Sequence, residues 1–397
     1  MTLPNGLKII ADEKQGLLRK AGLLAVRYGS DDMNFADFRT PPGAAHFLEH
    51  KLFDLPGGRS VQQLYGALGA SPNAYTSHTM TAYHFECTDN FEECLKLLLE
   101  YVFTPYFTEE SVIRERGIID QELAMYHDSP RTRMLDELMA LTYAVHPARI
   151  PIGGTRESIR EISAKTLLVC YAAFYTPSNM VLAVSGGVDA DRVYELAAEL
   201  SPKERRPVPR CQYGEEPRLI AAREKTINMD VDLPIMGMGV KLPDSGGDFL
   251  RRELLLAAAI DCLVGEISPL GQKLYDSGLI DGSFGGFAFL LRGASALIFS
   301  GQSREPRTVR DAVLEAAERF QADGVMLGRA KKSILGAKTR LLDNPAGTAR
   351  SAAAYYLMGS DFGDIADTLD KITLDDVNTV YSSITNENTS LVTIERG

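Results

Sequence analysis

Apolar positions along the first part of the chain fall into short runs and then into helical spacing. Leu7–Ile10 and Ala21–Tyr28 read as strands around the turn-prone Asn5-Gly6 and Gly16. A helix is predicted between the Pro41-Pro42-Gly43 entry and the Pro56-Gly57 stop. Pro72–Thr76, ahead of Tyr83–Glu86, reads as an edge strand after a turn, and Phe91–Phe103 is apolar at helical spacing. Thr108–His127 predicts a second strong helix. Thr108 suits its cap, Glu109 and Glu110 suit its positive N-terminus, and Ser129-Pro130 stops it. Met180–Ser185 is a short apolar strand.

The pattern then repeats. Ile162–Tyr171 is followed by Asn179 and the strand Met180–Ser185; Ile372–Tyr381 is followed by Asn388 and the strand Ser390–Ile394. The offset, 372 − 162 = 210 residues, is about half the chain, and Phe107–Glu122 has a counterpart near Val325–Lys338. A period this long implies duplicated domains, not a solenoid. Strands and helices mix without strict alternation, so the fold class is α+β. Ser201–Glu216, rich in proline, charge and glycine, marks the expected boundary: a first domain 1–200, a linker 201–216 and a repeat domain 217–397.

Composition narrows the function classes. The chain has 397 residues, enough for two cores, and 53 acidic residues against 42 basic ones give a net charge of −11. That sign argues against a nucleic-acid partner, which needs a basic face to displace counterions. The basic run Lys203–Arg210 is broken by Pro207 and Pro209 and reads as a solvated linker. Cysteines 87, 94, 170, 211 and 262 include no C-x-x-C pair, which points to a reducing compartment. No basic-then-apolar segment opens the chain, and the apolar run Leu254–Gly265 is interrupted by Asp261, so no membrane association and a cytoplasmic location are expected.

The chemistry lies in His46-Phe-Leu-Glu49-His50. On a helix, with His46 at zero, Glu49 falls at about 300° and His50 at about 40°, so the three polar groups share one sector while Phe47 and Leu48 face the core. Two imidazoles one turn apart can ligate one zinc ion and leave Glu49 beside a bound water. Zinc lowers the pKa of such a water to about 7, and the carboxylate takes its proton as a carbonyl is attacked. With six histidines and 26 glutamates, chance supplies roughly 0.006 such motifs. A catalytic zinc needs a third protein ligand. Glu115 and Glu122, seven apart on the second helix, lie about 20° apart on one face with Ile118 and Ile119. Two carboxylates on an apolar stripe require a positive partner. A lysine or arginine could supply it; beside His46 and His50, a metal ion is the better reading.

These residues resemble the inverzincin metallopeptidases of the insulinase–pitrilysin family. Further matching stretches are Leu3-Pro-Asn-Gly-Leu7, Ser71-Pro-Asn-Ala-Tyr-Thr76, His146-Pro147, Gly154-Thr155 and Asn179-Met180. The resemblance implies one zinc ion per chain, held by His46, His50 and Glu122, with Glu115 supporting the site from behind. It implies that Asn73, Ala74 and Tyr75 receive the peptide substrate as an added strand. It also implies a half-clamshell of two related domains, each a mostly antiparallel sheet with helices on one face, the second without metal. His78 is expected to be exposed and His84 to sit on a polar strand face; His127 and His146 read as structural.

The wording His46-Phe-Leu-Glu-His-Lys-Leu-Phe53 is most similar to the zinc-bearing subunit of paired bacterial members. Many family members clamp substrate with an arginine and a tyrosine in R-E-x-G-L-x-Y, where this chain has Tyr275-Asp-Ser-Gly-Leu-Ile-Asp281. The resemblance therefore implies a zinc endopeptidase of short or unfolded peptides that works with a homologous zinc-less subunit, or as a homodimer. A non-catalytic peptide-binding scaffold is the alternative, which has no use for Glu49. No G-x-S-x-G, P-loop or G-x-G-x-x-G supports another enzyme class.

Overall fold

The computed structural model describes residues 1–243 and 246–397. The first half of the chain carries strands β1 (Lys8–Glu13), β2 (Lys20–Val26), the short pair β3 (Asn34–Phe35) and β4 (Phe38–Arg39), then β5 (Ser71–Thr76), β6 (Thr81–Cys87) and β7 (Met180–Gly186). Its helices are α1 (Ala44–Lys51), α2 (Val61–Ala67), α3 (Phe91–Val102), α4 (Glu109–Asp128), α5 (Pro130–Thr142), α6 (Arg156–Arg160), α7 (Ala164–Phe174) and α8 (Ala190–Leu200). The second half carries β8 (Glu224–Met229), β9 (Ile235–Leu242), β10 (Gly285–Leu291), β11 (Ala294–Gln302) and β12 (Thr389–Arg396). Its helices are α9 (Phe249–Val264), α10 (Pro269–Asp276), α11 (Pro306–Arg319), α12 (Gly324–Leu341), α13 (Pro345–Leu357), α14 (Ile365–Asp370) and α15 (Leu374–Ser382).

Among the described residues two five-stranded sheets form, in the orders β1-β7-β2-β6-β5 and β8-β12-β9-β11-β10. Both begin with a parallel pair, β1 with β7 and β8 with β12, and continue antiparallel. The same topology twice is what the 210-residue self-match anticipates, and the α+β class with mostly antiparallel sheets is what the chain adopts.

Packing does not follow the chain in two blocks. One compact unit is built from residues 1–123, 151–212 and 339–362; the other from 124–150, 213–338 and 363–397. The chain thus passes between units inside the 201–216 stretch, and also within α4 and α12. The result is an exchange of helices. In the first unit, Leu24 and Val26 of β2 join a core with Phe47, Leu48, Leu95 and Leu98 of α1 and α3. Leu23 and Ala25, one residue out of step, face the other way and are covered by Ala349, Ala353 and Leu357 of α13. Most helices of the unit lie on one face of the sheet, as expected; α13 comes from the second half to seal the other face.

In the second unit α5 does the reciprocal work. Met134 and Leu138 pack on Ile235, Ile298, Val392 and Ile394. Gly237 lets the helix approach, since a Cβ there would collide with the Met134 sulfur. Both swapped helices start with an Asx or Ser cap followed by proline, Ser129-Pro130 and Asn344-Pro345, just past a longer helix. Among the described residues no single helix is long and apolar enough to cross a membrane.

Candidate metal centre

Helix α1 begins at Gly43, whose φ of 88° is open to glycine and strained for other residues. A Cβ there would also strike the Gly153 carbonyl oxygen, so the Gly153-Gly154 turn seats the helix start against the loop. Phe47 and Leu48 are fully buried, which fixes the roll of the helix. His46, Glu49 and His50 consequently emerge on one side. His46 and Glu49 are each 8% exposed.

Helix α4 is capped by Thr108, whose Oγ1 accepts from the Ser111 N–H while Ser111 Oγ accepts from the Thr108 N–H. Ile119 is fully buried and Glu115 nearly so, whereas Ile118 is half exposed; the predicted apolar stripe is narrower than the sequence pattern suggests. This seating brings Glu115 and Glu122 to the two histidines. Nδ1 of His50 lies 3.1 Å from Glu115 Oε1 and its Nε2 lies 3.2 Å from Glu122 Oε2. Nε2 of His46 stands 3.7 Å from Glu122 Oε1, beyond hydrogen-bond range, and its Nδ1 is buried without a partner beside Gly153. The imidazoles meet edge to face with centroids 4.7 Å apart.

Donor atoms of His46, His50 and Glu122 all lie within 4.8 Å of one another, and among the described residues this is the only such group of three or more His, Cys, Asp or Glu. Two neutral nitrogens and a carboxylate are a zinc-type donor set, and donors about 2.0–2.1 Å from one ion sit about 3.3 Å apart at tetrahedral angles. Electrostatics agree with that fit. Burial opposes charge on His50, yet Glu115 and Glu122 push its pKa up to about 10. A place where carboxylates hold a proton this firmly is a place that favours a cation. Lys51, the adjacent lysine, does not serve: it is buried on the far side of the helix and paired with Asp54.

Glu49 occupies a different setting. Burial raises its carboxyl above the usual range, His46, the Thr76 hydrogen bond and His50 pull it down, and Glu122 adds to the rise. The Thr76 hydroxyl donates to its Oε2 at 2.7 Å. Thr76 closes β5, an edge strand of the first sheet with no further strand on it among the described residues, beside Asn73, Ala74 and Tyr75. On that edge the Asn73 Oδ1 accepts the Ala74 N–H at 2.8 Å, capping a donor that the β5–β6 pairing leaves unused.

Sequence reasoning missed Thr76 and Gly153. Strand alternation could have placed Thr76 on the Glu49 side, whereas Gly153 carried no signal. His78 departs from expectation: it is partly buried, with Nδ1 2.9 Å from the buried Asp31. His84 is also partly buried, and its imidazole is held down at about 4 by burial and by Arg350. Tyr275 and Asp281 lie in the second unit, Tyr275 well exposed and Asp281 Oδ1 accepting from the Ser283 N–H.

Fold and site together define a class: a duplicated α+β protein with a His–His–Glu group in its first unit that can hold a metal ion. Comparison with known proteins agrees. Residues 24–156 match the family described as Insulinase (Peptidase family M16), and residues 161–328 match the Peptidase M16 inactive domain. The uncharacterized zinc protease YmfH of Bacillus subtilis is 35% identical over 395 residues, covering 95% of this chain and 91% of that protein. An Arabidopsis thaliana protein named "Probable mitochondrial-processing peptidase subunit beta, mitochondrial" is 30% identical over 212 residues, 51% of this chain and 38% of that one. The crystal structure of an Alicyclobacillus acidocaldarius protein described as a "putative M16-like peptidase" superposes with a TM-score of 0.94 at 32% identity, covering 100% of this chain and 97% of that one. The chain belongs to the insulinase family, peptidase family M16.

Proposed function

We propose that this chain is a zinc-dependent endopeptidase subunit acting on short or unfolded peptides. The observation that carries this reading is the buried Glu49 carboxylate, hydrogen-bonded to Thr76 beside a ready three-ligand group. A peptide-binding scaffold would have no use for that carboxylate, whose burial disfavours its charged form.

His46, His50 and Glu122 would hold the zinc ion, which supplies a Lewis acid and lowers the pKa of an attacking water to about 7. The protein's own groups do the rest. Glu115 accepts a hydrogen bond from the His50 Nδ1–H and fixes that ring with Nε2 toward Glu122. Glu49 takes the proton of the attacking water on its carboxylate and returns it to the leaving amine. Thr76 holds Oε2 in place meanwhile. Substrate adds to the free edge of β5 at Asn73, Ala74 and Tyr75, displacing the Asn73 cap from the Ala74 N–H. Main-chain pairing tolerates many sequences and demands an extended segment, so folded proteins resist.

A second subunit completes the reading. Where many relatives carry a substrate-clamping arginine and tyrosine, Tyr275 lacks a cationic fork and Asp281 carries the wrong charge. A homologous zinc-less chain supplying the pair is the proposed partner. The test is mass-spectrometric mapping of peptides cut with and without chelator. Chelator-insensitive cleavage would refute the zinc mechanism.

A further inference from the structure

The open edge strand β5 faces two ways. Ala74 and Thr76 turn to the α1 side, where Ala74 joins the main core and Thr76 meets Glu49. Asn73 and Tyr75, one residue out of step, turn to the side sealed by α13. On that side the guanidinium of Arg350, from α13, lies over the Tyr75 ring, 5.2 Å from its centroid. Arg350 is exposed and has no ion pair among the described residues.

His84 pairs in register with Asn73, and its ring stands 6.2 Å from Tyr75. With its pKa near 4, it is neutral at physiological pH. Tyr75 keeps its proton, since burial lifts its pKa to about 12, and its hydroxyl has no hydrogen-bond partner. The acid two residues along β6, Glu86, is already paired with Arg19. Among the described residues, Arg350 is thus the charged group that acts on the Tyr75 ring from this side.

We propose that Arg350, with Tyr75 beneath it, forms a subsite for an acidic side chain of the peptide that adds to β5. The proposal rests on the strand-addition reading given above and names part of the substrate class. Side chains of an added strand alternate, and those on the Tyr75 face have Cβ atoms about 4.5–5.5 Å from their β5 neighbours. An aspartate or glutamate there reaches the guanidinium above the ring and makes a charge-assisted bond. The chain's net charge of −11 opposes acidic peptides at long range, so a preference for acid would have this local origin.

The test uses the full-length zinc-loaded chain with Glu49→Gln to stop turnover. Fluorescence anisotropy measures the Kd of end-labelled, unstructured peptides in which one glutamate or one lysine is walked along a neutral background. Glutamate should bind about tenfold tighter than lysine at alternate positions only. Arg350→Ala should abolish the difference, and Arg350→Glu should reverse it. Binding that ignores position and charge overturns the subsite and leaves strand addition standing. No binding, or photo-crosslinks that map away from 73–76, sinks strand addition and the subsite with it. The positional walk decides alone if the Arg350 variants do not fold.

Discussion

The Thr76 hydroxyl donates to Glu49 Oε2 across 2.7 Å, tying the proposed base to β5, the strand proposed to receive substrate. The same hydroxyl stands 3.4 Å from Thr81 Oγ1, and Thr81 donates to the Tyr28 carbonyl at 2.9 Å. Glu49 is thus held by the end of an edge strand that is itself anchored to the sheet interior. A peptide docking on β5 arrives next to an oriented carboxylate.

Thr76→Val, which keeps shape and removes the donor, should lower kcat about tenfold with KM and zinc content unchanged. Thr76→Ser should restore most of it. A fall in zinc content matching the fall in rate would mean that Thr76 acts on the fold and not on the base.

Glu122→Gln should lose zinc, whereas Glu49→Gln should keep zinc and lose hydrolysis. Glu115→Gln should weaken zinc binding about 10–100-fold by freeing the His50 ring. Metal analysis after dialysis against graded chelator separates the three. Full zinc occupancy in Glu122→Gln would overturn the ligand assignment.

Glu216 is a stability prediction with a pH signature. Burial tends to raise its carboxyl, but Lys241 and the N–H groups of Ala144, His146 and Val145 pull it below its ordinary 4.5. Both members of the ion pair are nearly buried. Removing one charge by Glu216→Gln should cost about 3 kcal/mol at pH 7. A folded pKa below the unfolded one gives stability that is complete above the ordinary value and disappears as pH falls through the lowered one. Urea midpoints of the two proteins should therefore converge in acid. A gap that persists there would point to packing instead of charge.

Gly237→Ala should destabilise the second unit by about 1–3 kcal/mol, because its Cβ meets the Met134 sulfur of α5. Adding Met134→Ala should recover much of the loss in a double-mutant cycle. Strictly additive effects would argue that α5 does not pack there in solution.

The isolated chain should show weak peptidase activity, since lost substrate positioning costs on the order of a hundredfold. A zinc-less relative bearing the arginine–tyrosine pair should raise turnover and form a one-to-one complex by light scattering. Robust turnover alone, unchanged by such a partner, would remove the case for a second subunit.

Local sequence determined a good deal of this protein. The His46–His50 spacing puts three polar groups on one sector of α1 because helical geometry is set within a single turn, and Phe47 and Leu48 fix its roll by burial. The seven-residue step between Glu115 and Glu122 works the same way, as do the caps of α4 and α5. The duplicated strand order follows from a repeat visible in the residues themselves. Tertiary structure alone decided the rest. That α5 belongs to the second unit and α13 to the first is set by contacts far along the chain, and Gly237 acquires meaning only beside Met134. The pairing of Thr76 with Glu49, and of Arg350 with Tyr75, joins residues 27 and 275 positions apart. Periodicity reports which face a side chain takes. It carries no record of what the rest of the chain brings to meet it.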